Sequence, residues 1–304
     1  MRRFLLNEQV SSDLISMVEV LGSCSVSVQS ILAQTSVRAT GTSNTFGDEQ
    51  LSVDVLADCE IFSQLRDSNL VEFAASEEEP VLRTLSTNGK YTVCFDPLDG
   101  SSIVDCNWAV GSIFGVWPKG ELKNGENQVL SVITVYGPRL TMIIGIKEKN
   151  LCFETCFIGG EWELSERKIS ISPEIKIFSP ANLKSSRDLP GYAMLITEWM
   201  ERKLTLRYTG GMVPDVGGIL VKKGGIFASP VSRSAPAKLR LVFECAPIAL
   251  IIELADGLAL TQDGTRVLDI GIEGMDQRTG MICGSHKEVE HVIDMLKHSV
   301  LAFE

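Results

Sequence analysis

The sequence predicts an α/β (α+β) fold built from stacked layers of helices and strands. Apolar residues recur at helical spacing in several segments, and short apolar runs typical of buried strands lie between them. The two patterns do not alternate strictly, so a Rossmann-type series of parallel strands is not predicted. The 304 residues, 44% of them hydrophobic, are enough for a sizeable core in one or two domains.

The beginning of the chain is predicted to be mostly helical. Residues 4–34 carry apolar side chains at helical spacing, which indicates one or two amphipathic helices, and residues 51–65 repeat the pattern. The polar run between them, SVRATGTSNTFGDEQ (residues 36–50), is predicted to be a loop.

Strands are predicted through the middle of the chain. The apolar runs that indicate them are residues 91–95, 112–117, 129–136 and 140–146. Residues 151–171 are predicted to form a meander that turns at Gly159 and Gly160.

The second half contains three predicted helices. They cover residues 192–202, 247–255 and 286–298, with Pro247 in the first turn of the second, Gly257 just past its end, and Ser285 as the cap of the third. A composition change near residues 175–182 divides one compact unit into a predicted metal-binding part, residues 1–178, and a predicted sugar-phosphate-binding part, residues 179–304.

Charge is distributed unevenly along the chain. The net charge is -11, which disfavours nucleic acid and anionic membrane surfaces as partners. Residues 47–105 contain 13 acidic and 3 basic side chains, whereas residues 205–245 contain 6 basic and 2 acidic ones. The first region is suited to cations and the second to a small anionic ligand.

The cysteines and the N-terminus predict a cytoplasmic protein. None of the 8 cysteines forms a CxxC pair, so buried free thiols in a reducing compartment are expected rather than disulfides. No run approaches the roughly 20 apolar residues that span a bilayer. The N-terminal segment is too short for a secretory signal and too acidic for a transit peptide.

The motif DPLDGSS is the most informative feature of the sequence. It places Asp96 and Asp99 three residues apart at the end of a predicted strand, and Pro97 and Gly100 predict a turn there. The N–H groups that follow, from Gly100 to Ser102, could bind an anion. The alternative is a surface Asx-turn with no function.

Two further acidic clusters support a metal site. Glu77 and Glu78 lie in SEEEP, and Asp48 and Asp54 lie in GDEQLSVD. Carboxylate oxygens favour Mg²⁺ or Mn²⁺, and this many carboxylates predict two or more ions. The alternative is a solvated acidic face. Zinc is disfavoured because all 3 histidines lie on the predicted terminal helix, and no P-loop motif is present.

Basic residues in the second half predict a phosphate site. Arg207 precedes Tyr208, and Lys238 and Arg240 would share one face of a strand. Two cations without an intervening acid suit a phosphate group. The alternative is a charged strand edge exposed to solvent.

With these motifs in view, the chain resembles the fructose-1,6-bisphosphatase and inositol-phosphatase superfamily of metal-dependent phosphatases. The runs that carry the resemblance are GDEQLSVD, SEE, GKYTVCFDPLDGSS, RYTGGMVPDV and KLRLVFECAP, in the family's order. The resemblance implies a layered α-β-α-β-α fold, a small-molecule sugar bisphosphate as substrate, and a homodimer or homotetramer. In this family the equivalent of Arg207 can reach across a subunit interface.

The resemblance also implies roles for individual residues. Asp54, Glu78 and Asp48 would be catalytic. The implied metal ligands are Glu77, Glu78, Asp96, the Leu98 carbonyl, Asp99 and Glu244. The implied substrate-binding residues are Gly100, Ser101, Ser102, Asn182, Arg207, Tyr208, Gly210, Met212, Lys238 and Arg240.

Within the superfamily, NTFGDEQL, DGSSIVD, FGVWP and TLRYTGGMVPDV are most similar to the branch that hydrolyses sedoheptulose 1,7-bisphosphate. The resemblance therefore implies release of the 1-phosphate by a metal-activated water, leaving sedoheptulose 7-phosphate. Fructose bisphosphatases have a tyrosine at about Ser229, and its loss is expected to widen the distal pocket. The alternatives are fructose-1,6-bisphosphatase or dual activity, a catalytically silent metabolite-sensing relative, and an inositol monophosphatase, which Arg207 and Lys238 argue against.

Overall fold

The computed structural model describes residues 1–37, 39–43, 49–166 and 168–301. The elements of the first half are α1 (Arg2–Asn7), α2 (Ser12–Gln34), β1 (Ala39–Ser43), β2 (Glu49–Leu51), α3 (Ser52–Asp67), β3 (Val71–Ser76), β4 (Arg83–Thr84), β5 (Tyr91–Asp99), β6 (Val110–Pro118), β7 (Leu130–Tyr136), β8 (Leu140–Ile146), β9 (Leu151–Ile158) and β10 (Glu161–Glu166). Those of the second half are β11 (Ile177–Pro180), α4 (Pro190–Glu201), β12 (Thr205–Leu206), α5 (Met212–Val221), β13 (Ile226–Ser229), α6 (Ala246–Leu254), β14 (Leu258–Leu260), β15 (Met281–Gly284) and α7 (His286–Leu301).

Helices and sheets alternate in five layers, as the resemblance implied. Helices α1–α3 cover one face of an eight-stranded sheet of order β10-β9-β8-β7-β6-β5-β3-β4. Helices α5 and α6 fill the space between this sheet and a five-stranded sheet of order β12-β11-β13-β15-β14. Helices α4 and α7 cover the outer face of the second sheet. Each sheet thereby buries both faces, which explains the continuous apolar runs of its strands.

Two predicted elements differ in the structure. The predicted loop at residues 36–50 contains an antiparallel ribbon, β1 with β2. The predicted turn at DPLDGSS begins later, because β5 continues through Pro97 to Asp99. Its pairing with β6 shifts register between Asp96 and Asp99. Such a bulge accommodates a proline that cannot donate to the ladder.

One helix, α2, is long and apolar enough to cross a membrane by length and composition, which the sequence prediction did not anticipate. About half of it is buried inside the protein, where Leu14, Met17 and Leu21 belong to the core beneath the eight-stranded sheet. A buried core helix passes the same test, so this finding is weak evidence for a membrane span.

The predicted free thiols are confirmed, since all eight cysteines are unpaired and only Cys59 and Cys106 are exposed. The predicted boundary at residues 178/179 lies within β11 and stays a prediction.

The topology places two groups of strand ends where a ligand can bind. The acidic motifs lie at the carboxyl ends of the parallel strands β3 and β5. Glu77 and Glu78 come just after β3, and Asp96 and Asp99 end β5. In the second sheet β12, β11 and β13 are parallel neighbours, so the residues that follow them lie at one edge. Ligands of open α/β sheets bind at such edges.

Candidate active site

Three carboxylates meet in the interior of the protein. One oxygen each from Asp96, Asp99 and Glu244 lies within 4.8 Å of the other two, and all three residues are buried. The first two residues belong to β5. Glu244 comes from a single π-helical turn, Leu241–Cys245, that leads into α6. Because α6 packs against the eight-stranded sheet, this turn is held over the end of β5.

Backbone N–H groups hold both aspartates of β5. Leu98 N donates to Asp96 Oδ1 at 2.9 Å. Met212 N and Val213 N, in the first turn of α5, donate to Asp99 Oδ1 and Oδ2 at 3.1 and 2.6 Å. A helix N-terminus has free N–H groups and a partial positive charge, so it stabilises this buried carboxylate.

Glu244 is oriented by the π-helical turn itself. Cys245 N donates to the carbonyl of Arg240 at 3.1 Å, which closes the wider ring of the turn. Arg240 N in turn donates to Glu244 Oε2 at 2.5 Å. Arg240 and Lys238 therefore do not lie on a strand, and that prediction was wrong. The backbone bends before residue 240 and becomes helical after it, which leaves Arg240 buried and Lys238 exposed.

Glu77 and Glu78 follow β3 and reach the same region. Glu77 N donates to Phe95 O at 3.0 Å, so this segment continues alongside β5 toward Asp96. The Glu77 carboxylate forms an ion pair with the Arg240 guanidinium. The Arg240 side chain is 6% exposed and that of Glu77 is 19% exposed, so the pair lies at the boundary between the cluster and solvent.

Asp54 extends the acidic cluster from α3. It is 2% exposed, and its Oδ2 accepts a hydrogen bond from Leu51 N at 3.0 Å. Within the described part of the chain, its Oδ1 has no hydrogen-bond partner. Asp48, predicted to lie beside it, falls outside the described residues.

Burial is the main cause of the raised pKa values of the carboxyl groups in the cluster. It raises the pKa of Asp54 to about 7, with smaller contributions from the charges of Glu78 and Glu77. It also raises the pKa of Asp99 to about 7, against the opposing hydrogen bonds from Val213 and Met212. Burial, and next the charge of Glu77, raises the pKa of both Asp96 and Glu244 well above the ordinary range. When no cation is bound, the close approach of these buried carboxyl groups therefore has an electrostatic cost.

This donor set fits hard divalent cations. All the converging ligand atoms are carboxylate oxygens, and a bound cation would offset the crowding of negative charge that raises their pKa values. His286 and His291 are not part of this set, since they lie on α7 near Glu290 and Glu198. The side chain of His298 is outside the described part.

The residues after Asp99 present free backbone donors. Gly100 adopts a left-handed conformation with φ of 87° and leads into a short 3-10 helix, Ser101–Ile103. Among the described residues, none accepts a hydrogen bond from the N–H groups of Gly100, Ser101 or Ser102. Three N–H donors beside a carboxylate cluster can bind an anion that also contacts a cation.

The predicted phosphate-binding residues of the second half follow neighbouring parallel strands. Asn182 follows β11, Arg207 and Tyr208 follow β12, and Ser229 ends β13. Arg207, Tyr208 and Lys238 are exposed, and Arg207 N donates to Phe178 O at 2.9 Å, which continues the β11–β12 pairing. Asn182, Arg207 and Tyr208 therefore lie at one edge of the five-stranded sheet.

Two of the residues predicted to contact substrate, Asn182 and Met212, form hydrogen bonds within the protein, and their substrate contacts stay predictions. Asn182 Nδ2 donates to the carbonyls of Pro230 and Ala235 at 2.7 and 3.1 Å, so the side chain ties two loops together. The N–H of Met212 is used by Asp99. Gly210 is exposed, with φ of 102°, in the loop before α5.

Two buried aspartates near the site, Asp58 and Asp215, were not predicted from the sequence. Asp58 lies one helical turn after Asp54 on α3, and its Oδ1 likewise has no hydrogen-bond partner within the described part. Asp215 lies in α5 three residues after Met212. The i,i+4 spacing from Asp54 could have indicated Asp58.

Asp58→Asn is expected to change how the stability of the metal-free protein depends on pH. Burial raises the pKa of Asp58 to about 6 from an ordinary value of 3.8, against an opposing hydrogen bond from Ser76. Between these values the unfolded chain loses its proton while the folded chain keeps it. Stability therefore falls as pH rises through this window, by up to about 3 kcal/mol. Asp58→Asn should remove this contribution to the slope of the free energy of unfolding against pH.

The measurement is urea unfolding in EDTA at several pH values between 4 and 7. Asp67→Asn, an exposed aspartate at the end of the same helix, is the control and should leave the slope unchanged. An identical slope in wild type and Asp58→Asn would contradict the prediction.

Comparisons with known proteins agree over nearly the whole chain. The family description "Fructose-1-6-bisphosphatase, N-terminal domain" matches residues 3–167, and the corresponding C-terminal domain matches residues 171–297. A chloroplastic sedoheptulose-1,7-bisphosphatase from Spinacia oleracea is 41% identical over 295 residues, covering 95% of this chain and 76% of the relative. A class 1 fructose-1,6-bisphosphatase from Geobacter sulfurreducens is 35% identical, covering 97% of this chain and 95% of the relative.

A solved structure has the same architecture. A crystal structure from Toxoplasma gondii, provisionally named a sedoheptulose-1,7 bisphosphatase, superposes with a TM-score of 0.92 at 38% sequence identity and covers 98% of both chains. The overall fold is thus shared over nearly the full length of both chains.

Proposed function

Because the chain belongs to the fructose-1,6-bisphosphatase family, we propose that it hydrolyses the 1-phosphate of sedoheptulose 1,7-bisphosphate. Water and the bisphosphate give sedoheptulose 7-phosphate and inorganic phosphate. The observation that carries the proposal is the buried cluster of Asp96, Asp99 and Glu244 beside the free N–H groups after Gly100. The 41% identity to a relative named for this sugar supports the choice of substrate.

We propose that the cofactor is Mg²⁺, which Mn²⁺ can replace. Each site would hold two or more ions. The residues that would hold the ions are Glu77, Glu78, Asp96, the Leu98 carbonyl, Asp99 and Glu244. Bound ions of this kind polarise a phosphoryl group and lower the pKa of water. The donor set is oxygen only, which matches a hard cation.

The protein's own groups orient the phosphate and take up the proton. The N–H groups of Gly100, Ser101 and Ser102, together with the Arg240 guanidinium, bind the oxygens of the phosphate that leaves, and this stabilises charge in the transition state. Asp54 accepts the proton of the attacking water at Oδ1, and the charge of Glu78 acts on it. The catalytic role that the resemblance implies for Asp48 stays a prediction, since Asp48 lies outside the described residues. Carboxylates commonly act as general bases, and Oδ1 of Asp54 has no other hydrogen-bond partner within the described residues. The bond that breaks joins phosphorus to O1 of the sugar.

The far phosphate binds at the edge of the five-stranded sheet. Arg207, Tyr208 and Lys238 supply two positive charges and a phenol, all exposed. A bidentate guanidinium and an ammonium together match a phosphate dianion. Asn182 acts here by holding the loops after β11 and β13 together.

Activity on fructose 1,6-bisphosphate is the second candidate. The matched family is named for that sugar, and the Geobacter sulfurreducens relative named for it covers 95% of its own length in the comparison. Both sugars offer a 1-phosphate and a phosphate at the far end, so one site can accept both.

Phosphate release from a set of sugar phosphates at saturating Mg²⁺ tests the proposal. We expect the highest kcat/KM on sedoheptulose 1,7-bisphosphate, lower values on fructose 1,6-bisphosphate and much lower values on monophosphates. A higher kcat/KM on fructose 1,6-bisphosphate would favour the second candidate. Absence of release from every substrate would indicate a catalytically silent, metabolite-sensing protein.

Ser229→Tyr is expected to shift the preference toward the six-carbon sugar. Ser229 is buried at the end of β13, next to the loop that Asn182 holds. A phenol at this position would fill part of the distal pocket and meet the phosphate of the shorter sugar. The ratio of kcat/KM for the two sugars measures the effect, which we expect to be about ten-fold. An unchanged ratio in a folded variant would exclude Ser229 as a determinant.

We further propose a homodimer or homotetramer located in the cytoplasm. The exposed Arg207 at edge strand β12 supports an assembly in which neighbouring subunits approach the distal site. Light scattering of the purified protein measures the assembly directly.

A further inference from the structure

Asp215 is a buried carboxylate with a specific pair of contacts. It is 2% exposed, and Thr209 N donates to both its oxygens, at 2.9 Å to Oδ1 and 3.2 Å to Oδ2. Thr209 follows directly after Arg207 and Tyr208. The carboxylate thus holds the end of the loop that carries two of the far-phosphate groups.

The first turn of α5, which contains Asp215, also binds Asp99 at the reacting end of the site. Met212 N and Val213 N donate to Asp99, while Asp215 in the same first turn of α5 accepts a hydrogen bond from Thr209 N. Residues 212–215 of helix α5 therefore contact both the acidic cluster and the loop that carries Arg207. The helix packs against strands of both sheets, β6 and β13, which keeps it rigid relative to each.

A close backbone approach joins the two loops as well. A Cβ atom added to Gly100 would lie 3.3 Å from the Cα of Gly211, and one added to Gly211 would lie 3.4 Å from Asp99 Oδ2. Gly211 N also donates to Thr209 Oγ1 at 3.2 Å. The phosphate-binding turn after Asp99 and the loop after β12 are thus in contact, with no side chain between them.

We propose that Asp215 is a positioning residue that sets the distance between the far-phosphate loop and the metal-binding end of the site. This inference rests on the proposed function, since it requires a substrate with a phosphate at each end. Asp215 touches no reacting atom in this scheme. It acts through Thr209 on Arg207 and Tyr208.

A purely structural cap at this position would not require a charge. Burying a carboxylate costs more than burying the hydroxyl of serine or threonine, the common neutral caps. The N–H of Thr209 would be satisfied by either. A charged carboxylate accepts a stronger hydrogen bond from this N–H than a neutral hydroxyl does, and a stronger bond holds the loop more firmly against the helix.

The test compares Asp215→Ala and the conservative Asp215→Asn with wild type. We expect Asp215→Ala to raise KM for the bisphosphate about ten-fold with a smaller change in kcat, because a charge-assisted hydrogen bond to the loop is lost. Asp215→Asn keeps one acceptor oxygen and should lie between Asp215→Ala and wild type. Asp67→Asn, an exposed aspartate at the end of α3, is the control and should match wild type.

Binding without turnover separates this inference from the proposed function. Calorimetry in Mg²⁺ should show weaker binding of sedoheptulose 7-phosphate to Asp215→Ala, by about ten-fold, and unchanged binding of inorganic phosphate. Equal loss for both ligands, or no loss in a folded variant, would overturn the inference. If Asp215→Ala does not fold, the same comparison with Asp215→Asn decides. Wild-type protein that binds the sugar phosphate but releases no phosphate would contradict only the proposed function.

Discussion

Asp96→Asn is expected to reduce kcat at least about 1,000-fold while making the metal-free protein more stable. Asp96 is buried beside Asp99 and Glu244, with their oxygens within 4.8 Å. Removal of its charge takes away a ligand that the proposed cations require. The same change relieves repulsion among carboxylates that have no bound cation to offset it.

Two measurements check this result. Phosphate release at saturating Mg²⁺ gives kcat, and thermal unfolding with EDTA or with Mg²⁺ gives the two stabilities. Wild type should be stabilised by Mg²⁺, and the variant should lose most of that gain, since binding to the native state adds stability by mass action. Asp67→Asn is the control for loss of one surface charge. A variant that keeps wild-type activity, or that becomes less stable in EDTA, would show that the cluster is not a cation site.

Arg240→Met is expected to reduce kcat about 100-fold and to destabilise the protein by about 3 kcal/mol. Arg240 is buried and paired with Glu77, so its loss leaves that carboxylate without its partner next to other acids. In the proposed reaction the guanidinium also binds the phosphate that leaves. Both effects follow from removal of one positive charge among many negative ones.

Denaturant unfolding and phosphate release separate the two effects. Mg²⁺ should recover part of the stability of Arg240→Met, because a cation can take over the neutralisation of Glu77, but it should not recover kcat. Arg233→Met changes an exposed arginine of the same segment and should leave both quantities near wild type. Full recovery of kcat at high Mg²⁺ would mean that Arg240 only balances charge and does not contact the phosphate.

The Glu77–Arg240 pair also implies a competition. In this structure the guanidinium binds the carboxylate of Glu77, which we propose as a metal ligand. Substrate and cations arriving together would exchange partners, with Arg240 moving to phosphate and Glu77 to a cation. The ion pair is therefore a place where substrate binding and cation binding reinforce one another.

Much of the site could be predicted from local sequence. The turn after Asp99 requires a residue that tolerates φ of 87°, and the glycine of DPLDGSS meets this need. The helices around residues 4–34 and 51–65 and most strands of the first sheet follow from apolar spacing. These features depend on neighbours in the chain, so the sequence contains the information for them.

Other predictions failed because a distant element decided the outcome. Lys238 and Arg240 were placed on one strand face by their two-residue spacing, but the structure forms a bend and a π-helical turn there. Pro97 was expected to end the strand, yet a bulge against β6 lets β5 continue. The role of Asn182 in binding phosphate stays a prediction, but its hydrogen bonds to the loop after β13 could not be predicted from the sequence.

By itself the sequence determined the family, the layered fold and the two chemically opposite regions, one acidic and one basic. Only the tertiary structure decided which carboxylates lie within 4.8 Å of one another and how the two ends of the site are held together. Asp99 is bound by N–H groups of residues more than 110 positions away, on a helix sandwiched between the two sheets. Such contacts arise from the packing of layers, and no periodicity or turn residue within one segment records where another layer will lie.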